Sequence, residues 1–352
     1  MNIPDGAHLS DLEQIPDGEE EAIKRVIDLE LQILQKSNGQ KRPVPRAQHP
    51  KHHGCVRAEF VVANDLPTEF QFGVFSEAGK TFPAWIRFSN ARKHDDQEPG
   101  GHGMAVKLMG VTGEKLLAGQ QNEKTQDFLL LDSPIFFIKD AVQFAEFDAA
   151  VLKSEVSWFG KLSVLEYFAK HPREFLILHR IENNQSSNPL ETSYWSATPY
   201  KLGSGAVKYL VKPHLDGPPI VAPAPSRDQL RAAMKLNLET RDAYFDFCVQ
   251  PQLDPSEQPV EDASHLWQTP AQTIATIHIP CQSFDTPAQM EFCENLSFSP
   301  WHSLREHRPL GSLNRLRKAT YLALSNFRHE QNHVPSIEPT PEMMQRGSSS
   351  AA

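Results

Sequence analysis

Between Leu313 and Arg328 the chain carries charged groups where a helix should carry an apolar seam. Wound at about 100° per residue, Leu313, Leu316, Arg317, Thr320, Tyr321, Leu324, Phe327 and Arg328 share one arc of about 140°. Arg315 and Lys318 fall on the other side. A buried guanidinium is costly unless it meets an anion, so this face implies a buried anionic group. Arg317 and Tyr321 are i,i+4 neighbours, and an adjacent cation lowers a phenol's pKa from about 10. A tyrosinate held in this way is a metal ligand, and one of the few side chains that bind haem iron axially. The same residues also suit a core tyrosine beside arginines that reach solvent or carboxylates.

Three further segments carry chemistry. Arg46-Ala47-Gln48-His49-Pro50-Lys51-His52-His53-Gly54 offers a histidine near neutral pKa, the group that moves protons between two oxygens. His49 is the candidate, because Pro50 favours an extended residue before it. The three histidines also suit a surface metal patch. In Ala84-Trp85-Ile86-Arg87-Phe88-Ser89, strand alternation puts Trp85, Arg87 and Ser89 on one face, and a surface salt bridge is the plainer use of Arg87. Ser133 to Asp140 contains Phe136 and Phe137, and Phe144 follows; alone these would read as core.

The elements that must position these groups follow from the pattern. Glu19 to Lys36 reads as an amphipathic helix ending at Asn38-Gly39. Val56 to Val62, Ala84 to Phe88 and Met104 to Met109 read as antiparallel strands. Helices are expected over Asp140–Lys153 and Trp158–Arg180, and strands over Thr192–Lys212, Tyr244–Leu253 and Thr273–Ile279. A proline-rich crossing loop spans Lys212 to Arg227. Grouped helices and many strands indicate an α+β fold, a closed antiparallel barrel with helical insertions. The expected division is an N-terminal arm and helix over 1–40, one domain over 41–328 and a disordered polar tail over 329–352.

Set together, the motifs resemble the haem catalase family, in its minimal core form. The family's R-x-x-H-x-K-x-x-G segment falls on Arg46, His49, Lys51 and Gly54; its V-R-F-S strand falls on Ile86 to Ser89. Its T-P-x-F-F-I-R-D run falls on Ser133 to Asp140, and its R-x-x-x-Y motif on Arg317 to Tyr321. The resemblance implies haem b with Tyr321 as axial ligand beside Arg317, and His49 as the distal base with Ser89 bonded to it. It further implies Arg46, Arg87 and Arg328 at the propionates, and Phe136 and Phe144 against the porphyrin. The implied activity is peroxide decomposition or peroxidase turnover through a ferryl intermediate, with peroxide and a small organic donor as partners.

One family feature is missing: the distal asparagine position is Leu131, followed by Asp132. Chemistry on organic or fatty-acid hydroperoxides, or a non-catalytic haem-binding or haem-sensing role, therefore stays open. The resemblance also implies a homo-oligomer, with the N-terminal helix and arm as exchange surface. A net charge of −9 and no basic run argue against nucleic acid or an anionic membrane as partner. No long apolar segment or secretory signal is present, and the four cysteines are widely spaced. A cytoplasmic location is the expectation.

Overall fold

A computed structural model describes residues 12–38, 43–156, 161–215 and 223–346. Its centre is a closed antiparallel barrel. The strands are β1 (His52–Val62), β2 (Thr81–Asn90), β3 (His102–Met109), β4 (Thr125–Leu131), β5 (Tyr194–Trp195), β6 (Tyr200–Leu202), β7 (Gly205–Pro213), β8 (Ala243–Pro251) and β9 (Gln272–Ile279). The ring runs β1-β2-β3-β4-β5-β7-β8-β9 and returns to β1, with β6 hanging on the edge of β7. The short β5 closes the ring by joining the two ends of the sheet.

Alternation decides what each face of the wall carries. On β2, Phe82, Ala84, Ile86 and Phe88 point into the barrel, where Phe60, Phe128 and Phe247 pack with centroids 5.0 to 6.3 Å apart. The register sets Ser89 opposite Gly103 and Gly103 opposite Leu131, with Arg87, Ala105 and Leu129 forming the next row. These two rows face outward, and helices cover them.

The helices are α1 (Glu19–Asn38), α2 (Ala141–Val156), α3 (Lys161–Lys170), α4 (Pro172–Glu182), α5 (Gln229–Leu238), α6 (Pro287–Asn295), α7 (Ser312–Asn332) and α8 (Pro341–Arg346). A second core joins Ile23 and Val26 of α1, Ala145 and Phe147 of α2, and Leu313 and Leu316 of α7. Arg315, on the far side of α7 as the wheel requires, meets Glu13 at 2.6 Å, Glu19 at 2.5 Å and Glu261 at 2.7 Å. Glu13 ties down the end of the N-terminal arm; residues 1–11 of that arm lie outside the described residues.

Four expectations change. The helix expected over Trp158–Arg180 is two, because Pro172 starts a new one after His171; Trp158 lies outside the described residues. The stretch Thr192–Lys212 is three strands, interrupted by the turn at Gly203 with φ +61°. Strand β4 and helices α5 and α6 were not anticipated. The chain also stays folded past residue 328: α7 runs to Asn332, and Glu338 reaches the buried Lys107 at 2.7 Å. The polarity that suggested a disordered tail is what pairs it with that lysine.

Candidate active site

One cavity of about 340 Å3 lies between the outward face of β2–β4 and the helices. His49, Ser89, Arg46, Arg87, Phe136, Phe144, Arg317, Tyr321 and Arg328, all singled out by the sequence, line it. On α7, Arg317 donates from Nη2 to the Tyr321 hydroxyl at 3.3 Å, and its guanidinium carbon lies 5.2 Å from that ring's centre. Asn314 Oδ1 at 3.0 Å and Thr198 Oγ1 at 3.3 Å hold the other arm of the fork. Burial opposes the Arg317 charge, but the Tyr321 and Tyr200 phenols outweigh it and raise its pKa.

His49 sits in the loop before β1 with φ +55°, a left-handed conformation and not the extended one that Pro50 favours. Two contacts impose it: the His49 N–H donates to Ala91 O at 3.0 Å, and Arg87 Nη2 donates to His49 O at 2.9 Å. Such strain persists only where the surroundings over-determine it. The ring bonds Ser89 Oγ through Nδ1 at 3.1 Å and rests on the bare Cα of Gly103, where a Cβ would come within 2.5 Å of Cε1. Burial, then the Arg87, Arg317 and Arg46 charges, push its pKa down to about 3. His49 is thus a neutral base at neutral pH.

The other two histidines diverge. His53 bonds Asn90 Oδ1 at 2.9 Å, and His52 lies 3.6 Å from Glu294. No cluster of three metal-ligating side chains occurs among the described residues, so the surface metal patch is not formed. Lys51 turns to Asp96 at 2.6 Å and Asp228 at 3.2 Å.

Arg46, Arg87 and Arg328 gather on one side with too few anions. Glu294 approaches Arg328 at 3.2 Å and Arg46 at 3.9 Å. Burial and the neighbouring Arg87 and Arg328 charges hold the Arg46 pKa down at about 9. Nε of Arg46 and Nε of Arg87 are buried without a hydrogen-bond partner. Such orphaned donors call for an acceptor, since each costs roughly 1–3 kcal/mol when unsatisfied. Across the cavity the Phe136 and Phe144 rings are parallel to within 4°, their centroids 6.3 Å apart. A phenol ligand backed by arginine, flat aromatic walls and unsatisfied guanidinium donors fit a planar prosthetic group with anionic side arms.

Leu131, at the position that holds the distal asparagine in the family the chain resembles, lines the cavity. Asp132 does not replace that asparagine. Its carboxylate faces His102 Nδ1 at 2.7 Å and accepts the His102 N–H at 2.8 Å.

The sequence reading missed Glu294, His102 and two cavity acids, Glu30 on α1 and Asp148 on α2. The signal was available for the last two. Glu30 shares a helical stripe with Ile23, Val26 and Leu34, and Asp148 lies between Phe144 and Ala141 on its wheel. The argument applied to the arginines of α7 would have flagged both.

Comparison with solved structures gives the same architecture in three catalases. A bacterial catalase aligns at TM-score 0.59, with 82% of this chain and 57% of that chain covered at 16% identity. A fungal catalase aligns at 0.61, with 82% and 59% covered, and catalase A from Saccharomyces cerevisiae at 0.60, with 82% and 61%, each at 16% identity. The chain thus spans about three-fifths of the length of these structures. No curated protein sequence matches it. The Catalase family model matches residues 6–187, which hold His49, Arg87, Ser89 and Phe144. This chain belongs to the catalase family.

Proposed function

We propose that the cavity holds haem b, ligated by the Tyr321 phenol oxygen, and that the protein decomposes peroxide. The observation that carries this reading is that Tyr321 with its Arg317 partner and His49 with its Ser89 partner line one cavity. Bound there, haem iron would supply the redox centre at which peroxide is cleaved. Arg317 donates to the phenol oxygen and so positions it as the ligand. Arg46, Arg87 and Arg328 would hold the propionates, an acceptor of the kind that the orphaned Nε donors of Arg46 and Arg87 call for. His49, neutral and fixed by Ser89, accepts a proton from one peroxide oxygen at its free ring nitrogen and returns it to the other.

Leu131 supplies no hydrogen bond to peroxide, and Asp132 is already committed to His102. These two facts favour a second reading, in which the preferred substrate is an organic hydroperoxide or a small organic donor completes the turnover. The test is oxygen release from hydrogen peroxide by the haem-loaded protein, with and without a phenolic donor. Rapid release without donor establishes catalase turnover, and donor oxidation with little oxygen establishes peroxidase turnover. Silence in both, followed by reaction with an alkyl hydroperoxide, establishes the second reading. Silence with all three refutes peroxide chemistry and leaves a haem-binding role.

A further inference from the structure

Glu30 and Asp148 line the same cavity from α1 and α2 and play no part in the chemistry above. They are 7% and 4% exposed. Asp148 Oδ2 is buried and has no hydrogen-bond partner. Gln48, the residue before His49, lowers the Glu30 pKa against the rise that burial causes and lines the cavity with both acids, so they share it with His49. The other charged groups facing them among the described residues are Arg92, itself solvent-exposed, and Glu182 at the end of α4. Val26, Phe147, Leu178 and Ile181 are apolar residues of the same lining.

As packing residues these acids are poor choices. Two carboxyls buried side by side repel and lose hydration, and apolar residues there would extend the seam between α1 and α2. Burial and then the Glu30 charge push Asp148 up to about 9, and Glu30 is raised as well. Arg92 opposes the rise of both, but burial outweighs it, so at neutral pH the pair keeps a proton. A metal does not suit it, since the described residues contain no group of three possible ligands. An ammonium does: its three N–H donors can bridge both carboxyls and reach Oδ2 of Asp148. Arg46, Arg87 and Arg317, charged groups of the same cavity wall, are cations and offer an ammonium no second site. An organic anion would pass the acids by.

We infer that Glu30 and Asp148 bind the ammonium group of an organic amine whose apolar body lies along Val26, Phe147, Leu178 and Ile181, beside His49. The assignment of that neighbourhood to peroxide rests on the proposed function; the amine site itself does not.

Benzylamine and benzyl alcohol, titrated by calorimetry into the haem-loaded protein without peroxide, test the inference. Benzylamine is expected to bind with release of about one proton near pH 7, seen as a dependence of the heat on buffer ionisation. Its affinity should rise by about tenfold per pH unit between pH 6 and 8, the slope for one exchanged proton. Glu30→Gln and Asp148→Asn should each weaken it by about tenfold or more while benzyl alcohol changes little. Benzyl alcohol binding as tightly, no proton release, or unchanged affinity in both variants would overturn the inference. The proton release and pH slope are read on the unaltered protein, so they stand even where a variant folds poorly. Oxygen release is measured separately, so a failed amine site and a failed peroxide reading give different results.

Discussion

Gly103→Ala adds one methyl group, and the structure says where it lands. The new Cβ would lie 2.5 Å from Cε1 and 2.6 Å from Nδ1 of His49, and 3.3 Å from Ser89 Oγ. The ring must move, because β3 is hydrogen-bonded on both sides through β2 and β4. The His49 backbone cannot follow easily, being pinned by Ala91 and Arg87 in a left-handed conformation. The Ser89 bond at 3.1 Å is then lost and the base is misplaced. A positioned acid–base group contributes about 10²–10⁴ in rate, so peroxide turnover should fall by about 100-fold or more. Overpacking should cost only about 1–3 kcal/mol of stability, and haem content should be retained because Tyr321 and Arg317 sit on α7. The assay is oxygen release per haem, beside a denaturant melt, with Gly205→Ala as control because its Cβ would meet nothing closer than 4.0 Å. Turnover within about threefold of the unaltered protein, in a folded and loaded variant, would refute the assigned role of His49.

Four other outcomes are expected. Tyr321→Phe should lose stable haem binding, read as Soret absorbance per protein; an unchanged spectrum would show a different axial ligand. Leu131→Asn restores a polar group over the peroxide position and should speed oxygen release by about tenfold, the value of one hydrogen bond. His49 and His307 are buried with pKa about 3, against about 6.5 in an unfolded chain. The unfolded state thus takes up more protons between those values, so stability should fall as pH drops from about 6.5 toward 3, and His307→Gln should flatten the decline in urea midpoints. Lys107→Met strands Asp127 and Glu338, each 2.7 Å from the buried ammonium, and should cost about 3–5 kcal/mol in a urea melt.

The barrel and the α7 site were legible because their signals are local. Alternation on β2 sorts Ile86 and Phe88 from Arg87 and Ser89, and the α7 wheel places Arg315 opposite Arg317. What escaped depends on pairs remote in sequence. Glu30 meets Asp148, His102 meets Asp132, and Lys107 meets Glu338 across 231 residues; a wheel can mark Glu30 and Asp148 as inward-facing but cannot pair them. The extended backbone expected at His49 failed for the same reason, since the preference set by Pro50 is outweighed by bonds from Arg87 and Ala91.

The barrel is closed by its shortest stave. Strand β5 has two residues, and it joins β4 through the single pair Leu131 and Trp195 while holding β7 through Tyr194 and Trp195. A ring with one thin stave breathes there first, because opening it breaks few hydrogen bonds compared with any other seam. Amide exchange on the native protein should therefore begin at this joint and spread along β4. Leu131 stands at that joint, so the part of the cavity wall that departs from the family is also the part where the barrel is least rigid.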